Sequence, residues 1–145
     1  MTTINRSAIV PYSCAEMYDL VANIGEYPDF LPWCGGSHII SSTSEKVVAE
    51  IQIAYKKVNK GFTTENILTS NERMVMNLVK GPFKHLRGDW VFTQLDDNAC
   101  KVTLDLDFEF SNKLIAFAIG PIFSNIANTF VDSFRVRAEQ VYGKR

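Results

Sequence analysis

In the stretch Cys100-Lys-Val-Thr-Leu-Asp-Leu-Asp-Phe-Glu-Phe110 every even position is apolar and every odd position is polar. A helix repeats its face every 3.6 residues, so a strict period of two demands a strand with Val102, Leu104, Leu106, Phe108 and Phe110 on one dry face. One strand cannot bury that face alone. The chain must therefore supply more strands and a layer to cover them.

The strands are present upstream. Val47, Ala49, Ile51 and Ile53 repeat the alternation, as do Met74, Met76 and Leu78, and then Leu86, Trp90 and Phe92. Turn signals recur from His38 to Phe110, which predicts an antiparallel meander of about six strands. The faces of Gly61 to Leu68 cannot be assigned from the pattern. Residues 3–12 are rich in β-branched side chains and predict a first strand.

The cover comes from helices. Ser13 followed by Glu16 is a capping box, and Met17, Leu20, Val21 and Ile24 form the apolar face of a short helix, with Gly25 as its expected stop. After Ser111-Asn112, Phe123, Ala127, Phe130, Phe134, Ala138 and Val141 follow at spacings of three and four, one stripe along a long helix. Gly120-Pro121 is expected to kink or break it. The expected architecture is α+β: a curved antiparallel sheet of about seven strands around one long C-terminal helix, with two short helices after the first strand, residues 1–145 forming one domain.

Between the first helix and the meander lies Glu26-Tyr-Pro-Asp-Phe-Leu-Pro-Trp-Cys-Gly-Gly36, with two prolines, three aromatic rings and a cysteine. It is too proline-rich for a helix interior or a central strand. Phe30, Leu31 and Trp33 either plug the core or guard an opening into it, with Gly35 and Gly36 as the hinge of such a gate. The same choice faces the core. Ten Phe, two Trp, five Tyr and four Met must lie between one sheet and essentially one helix, and they either pack solid or line an adaptable apolar cavity.

Net charge is −1 with 21% charged residues, which argues against a generic polyanion binder. The charge is uneven, however. Lys56, Lys57, Lys60, Arg73, Lys80, Lys84 and Arg87 face only Glu65 and Glu72 between positions 56 and 87, whereas Glu16, Asp19, Glu26 and Asp29 face Arg6 in the first thirty. Cys14, Cys34 and Cys100 lack metal-site spacing and read as reduced thiols. No metal is expected. The N-terminus carries no export or transit pattern, and the longest mostly apolar run, Leu114 to Phe123, is about half a membrane span. These features predict a cytoplasmic protein.

Enzyme signatures are missing. His38 and His85 have no nucleophile or metal partners, no phosphate-binding or dinucleotide loop occurs, and Asp105, Asp107 and Glu109 read as the wet face of their strand, paired across the sheet with basic side chains. No catalytic residue is expected.

YPDFLPWC at 27–34, GPF and GDWVF between 81 and 92, VTLDLDFEF at 102–110 and FRVRAEQVYG at 134–143 resemble the coenzyme Q-binding family. That family lies within the START-like group of lipid-transfer and polyketide-cyclase-like helix-grip proteins, whose bacterial members include RatA-type ribosome association toxins. The resemblance implies a helix-grip fold and a deep hydrophobic tunnel under the C-terminal helix. It also implies ubiquinone or a similar polyisoprenoid lipid as bound ligand, with no required cofactor. Applied to this chain, it makes the candidate ligand wall Met74, Met76, Trp90, Phe92, Leu104, Leu106, Phe108, Phe123, Phe130 and Phe134, with Phe30, Leu31 and Trp33 as the gate. The expected partners are respiratory complexes or the inner face of the cell membrane, touched peripherally. The toxin branch implies the alternative: contact with the large ribosomal subunit and a block of subunit association. Lys56, Lys57, Lys60, Lys80, Lys84 and Arg87, from the basic segment, are the candidate contacts for the ribosome or, equally, for an anionic membrane surface.

Overall fold

Nine β and α elements and one 3-10 helix make up the computed structural model, which describes residues 1–145. They are β1 (Thr2–Val10), α1 (Cys14–Ala22), the 3-10 helix (Ile24–Asp29), β2 (Cys34–Ser42), β3 (Lys46–Tyr55), β4 (Val58–Thr69), β5 (Arg73–Lys80), β6 (Phe83–Asp96), β7 (Ala99–Phe110) and α2 (Lys113–Tyr142). The strands form one antiparallel sheet in the order β1-β7-β6-β5-β4-β3-β2. Connections between β2 and β7 are all hairpins, so the meander follows from turns alone. The long step from β1 to β2 carries α1 and the 3-10 helix, and brings β2 to the far edge.

The alternation of β7 sets the inner face. Val102, Leu104, Leu106 and Phe108 are buried, and Trp90↔Leu104, Gly88↔Leu106 and Leu86↔Phe108 stand side by side in the register with β6. β4 resisted sequence reading for two reasons. Its inner face carries Thr64 and Asn66 beside Phe62, and a register shift against β5 between Thr63 and Thr64 buries both threonines. A bulge breaks the period of two, and polar residues on the dry side hide what remains.

The capping box forms as expected: the Glu16 amide donates to Ser13 Oγ at 3.1 Å and the Ser13 amide to Glu16 Oε1 at 3.0 Å. Gly25 does not end α1. The helix stops at Ala22, Gly25 lies inside the 3-10 helix, and the Tyr27 hydroxyl donates to the Val21 carbonyl at 2.5 Å. A phenol thus satisfies a last-turn carbonyl that a left-handed glycine would otherwise serve. Nor do Gly35 and Gly36 form a free hinge, because both lie in β2. A Cβ at position 35 would stand 2.6 Å from Ala54 Cβ, so the residue is glycine for close strand approach.

α2 starts on the Asn112 side chain, which accepts from the Ile115 amide at 2.9 Å, and runs unbroken through Pro121. The amide missing at Pro121 would have served the Phe117 carbonyl. Pro121 and Phe117 are both exposed, so the missing bond falls on the solvent side of the helix, where it costs least. The apolar stripe holds from Ile119 to Ala138 but not at Val141, which is 48% exposed. The last turn docks instead through Tyr142, whose ring lies 5.9 Å from Tyr12 and whose hydroxyl donates to the Glu16 carbonyl at 3.0 Å. α2 is long and apolar enough to cross a membrane by length and composition alone; here its stripe is buried against the sheet.

Candidate ligand cavity and basic end

Between the inner face and α2 lies a cavity of about 30 Å³, enough for one or two water molecules and far below the roughly 300–1,000 Å³ of a ligand pocket. The tunnel implied by the resemblance is, in this structure, a small hollow. Of the residues expected to line it, Trp33, Met74, Met76, Trp90, Leu106, Phe123 and Phe130 do so.

The other six pack elsewhere. Phe134 is wedged between Tyr27 and Trp90, with ring centres 5.4 Å away on each side. Phe108 lies 4.8 Å from Phe123 with Phe110 behind it, and Phe92 meets Tyr18 of α1 at 5.7 Å. Leu104 and Leu31 are buried away from the hollow. Phe30 is half-buried on the outside, under the Arg137 guanidinium at 4.9 Å. The opening stretch is therefore divided: Leu31 is core, while Trp33 stands at a boundary. Trp33 and Ile126 line both the cavity and an outer groove of about 120 Å³ that includes Pro32, Tyr55 and Asn125.

Several wall residues carried a weaker sequence signal. Ile51, Ile53 and Leu86 were on dry faces, but only curvature decides which part of a dry face borders the hollow. Tyr27 comes from the proline-rich stretch; burial holds its phenol protonated, well above the ordinary tyrosine value. Asn66 gave no signal at all. It is fully buried, and its Nδ2 donates to the Val47 carbonyl and to Thr64 Oγ1, both at 3.1 Å. A carbonyl only accepts, which fixes the amide's orientation and leaves Oδ1 as the free acceptor. Asn66 Oδ1 and Trp90 Nε1 have no hydrogen-bond partner in the protein. The wall contains no carboxylate, histidine, cysteine or basic side chain. The wall is apolar, and two of the residues that form it, Asn66 and Trp90, each keep a buried polar atom without a partner.

The three cysteines are free and buried, and burial raises the Cys34 thiol above its ordinary value, consistent with packing. His38 is exposed and His85 half-buried. On the wet face, Asp107 stands opposite Arg87 in the register and Glu109 lies 3.9 Å from Lys84 Nζ, while Asp105 takes Asn5 as its hydrogen-bond donor.

The basic positions share one end of the sheet. Lys56 and Lys57 form the β3–β4 turn and Lys60 follows inside β4, while Lys80 and Lys84 flank the β5–β6 turn; the pair Thr63↔Lys80 shows that both turns point to the same end, with the β3–β4 hairpin running past the shorter one. The pair Phe83↔Phe110 brings the start of α2, with Lys113, to the same end. Arg87 lies farther down the sheet. Tyr55, Leu114 and Phe117 also sit at this end, Leu114 at 78% and Phe117 at 85% exposure.

Comparison with known proteins matches residues 10–135 to the family described as polyketide cyclase / dehydrase and lipid transport. The chain is 48% identical over 145 residues to the Ribosome association toxin RatA of Escherichia coli (strain K12), covering all of this chain and 92% of that one. It is 26% identical to the mitochondrial Coenzyme Q-binding protein COQ10 homolog B of Xenopus laevis, over 97% of this chain and 59% of that one. In fold it matches the Zhui aromatase/cyclase from Streptomyces sp. R1128, with a TM-score of 0.86 at 13% identity over 99% of each chain.

Proposed function

From a chain that belongs to the polyketide cyclase / dehydrase and lipid transport family, and is nearly half identical along its length to a ribosome association toxin, we propose that it acts by associating with the ribosome. The surface is the basic end, the end of the sheet to which three segments bring lysines and which also carries exposed Tyr55, Leu114 and Phe117. Lysines neutralise backbone phosphates and release their counterions, and exposed rings stack on unpaired bases. In this reading the protein docks on the large subunit and obstructs joining of the small one.

The test is co-sedimentation with ribosomal subunits over a salt series. Wild type is expected to bind less tightly as salt rises, and reversal of Lys56, Lys57 and Lys60 to Glu should flatten the log–log slope by about 2. An unchanged slope removes this end from the interface. Equal salt-sensitive binding to anionic vesicles, with none to subunits, replaces the ribosome by a membrane surface.

A second reading is favoured by the two unpartnered polar atoms on an otherwise apolar wall: binding of a hydrophobic ligand beneath α2. Ubiquinone as that ligand draws support from the more distant coenzyme Q-binding relative alone.

A further inference from the structure

Asn66 and Trp90 stand on neighbouring rows of the inner face. One row runs Asn66, Met76, Gly88, Leu106 and the next runs Leu68, Met74, Trp90, Leu104. Two strand spacings and one step along the strand separate the two backbones, roughly 12 Å. Between them lies Gly88, where an added Cβ would stand 2.5 Å from Met76 Cε. The space over the glycine is thus held by the end of a flexible thioether, the kind of group that yields to a guest. The resident atoms there are apolar and end an unbranched side chain, while Asn66 Oδ1 and Trp90 Nε1 on either side are without partners.

We propose that this place recognises the head group of an uncharged, mainly hydrocarbon ligand bearing a hydroxyl, a phenol or alcohol, which takes the position of the Met76 terminus. The inference rests on the hydrophobic-ligand reading and specifies its chemistry. Asn66 Oδ1 accepts only, so it requires an O–H or N–H; Trp90 Nε1–H donates only, so it requires an oxygen lone pair. A hydroxyl-bearing ring supplies both. A carboxylate or phosphate head would lie buried without a cation, because the wall has none, and that is costly. An oxidised quinone offers only acceptors and leaves Asn66 Oδ1 facing another lone pair, so the site selects the reduced, hydroxylated form of such a ring.

The test is calorimetric titration of the folded protein with 4-hexylphenol, 4-hexylanisole, hexylbenzene and 4-hexylbenzoate. The expected result is at least tenfold tighter binding of the phenol than of its methyl ether. In Asn66→Leu that ratio falls to within about twofold, and in Trp90→Phe both oxygenated probes weaken. If Asn66→Leu does not fold, the phenol-to-ether ratio in wild type still decides. Equal affinities for phenol, ether and hydrocarbon overturn the head-group assignment and leave the hydrophobic-ligand reading standing. Tightest binding of the benzoate overturns it in favour of an anionic ligand. Failure of all four probes removes the hydrophobic-ligand reading itself.

Discussion

Trp33 and Ile126 together form the wall between the hollow beneath α2 and the groove outside it, since each side chain borders both. One residue comes from the proline-rich stretch and the other from the long helix. Trp33 is held from behind by the Ala54 amide, which donates to its carbonyl at 2.8 Å, and its ring lies 5.8 Å from Phe130. The backbone is therefore anchored while the indole faces free space on two sides.

This position separates two substitutions that look alike in sequence. Trp33→Ala should cost about 3 kcal/mol, the lower part of the range for large aromatic truncations, because the ring lacks neighbours on both hollow sides. It should also speed exchange of an apolar probe. Leu31→Ala, at a residue 1% exposed and bordering neither hollow, should cost about 2–5 kcal/mol and leave exchange unaltered. Urea midpoints and stopped-flow release of 4-hexylphenol measure the pair; faster exchange in Leu31→Ala alone would place the opening elsewhere.

The helix stripe predicts a second contrast. Phe134 is fully buried among Tyr27, Phe30, Trp90 and Phe130, so Phe134→Ala should lose about 3–5 kcal/mol. Val141→Ala, on the extrapolated stripe but facing water, should fall within about 0.5 kcal/mol of wild type. Thermal or urea unfolding of the two variants checks this directly.

Acid should loosen the contact between the chain's C-terminus and α1. Glu16 receives two hydrogen bonds from the Arg145 guanidinium at 2.7 and 2.8 Å; these, with the Ser13 amide, lower its carboxyl from the ordinary 4.5 to about 2. A depressed carboxyl stabilises the fold fully above its unfolded value and loses that contribution as pH falls to the folded one. The stability gap between wild type and Glu16→Gln should therefore be constant above about pH 4.5, shrink below it, and vanish near pH 2. Urea midpoints at pH 7, 4, 3 and 2 trace it. A gap that persists undiminished at pH 2 would assign the effect to packing rather than charge.

Much of the fold was present in local pattern. Period-two alternation in β3, β5, β6 and β7 specified which side chains face inward, and the 3.6-residue stripe of α2 specified what covers them, because burial of a continuous apolar face admits few layer arrangements. The capping box at Ser13 and Glu16 was readable because its partners are three residues apart. Local pattern failed where satisfaction came from afar. Tyr27 closed the end of α1 in place of Gly25, and Tyr142 docked the last turn of α2 in place of Val141.

The sequence by itself determined that the chain has a dry sheet face, a helix to cover it and an excess of lysines in its middle third. Only the tertiary structure decided where the remaining space lies and what is exposed to it. Asn66 on a bulged strand looks like any turn-prone polar residue until the curvature of the sheet and the register bring it to a hollow shared with Trp90, while the Val47 carbonyl takes its amide N–H and leaves its oxygen without a partner. Likewise, lysines spread from 56 to 113 come to one end of the sheet because antiparallel hairpins return their turns in that direction. Period and composition act over a few residues, whereas a cavity and a charged surface are made by residues whose only relation is the pairing of strands.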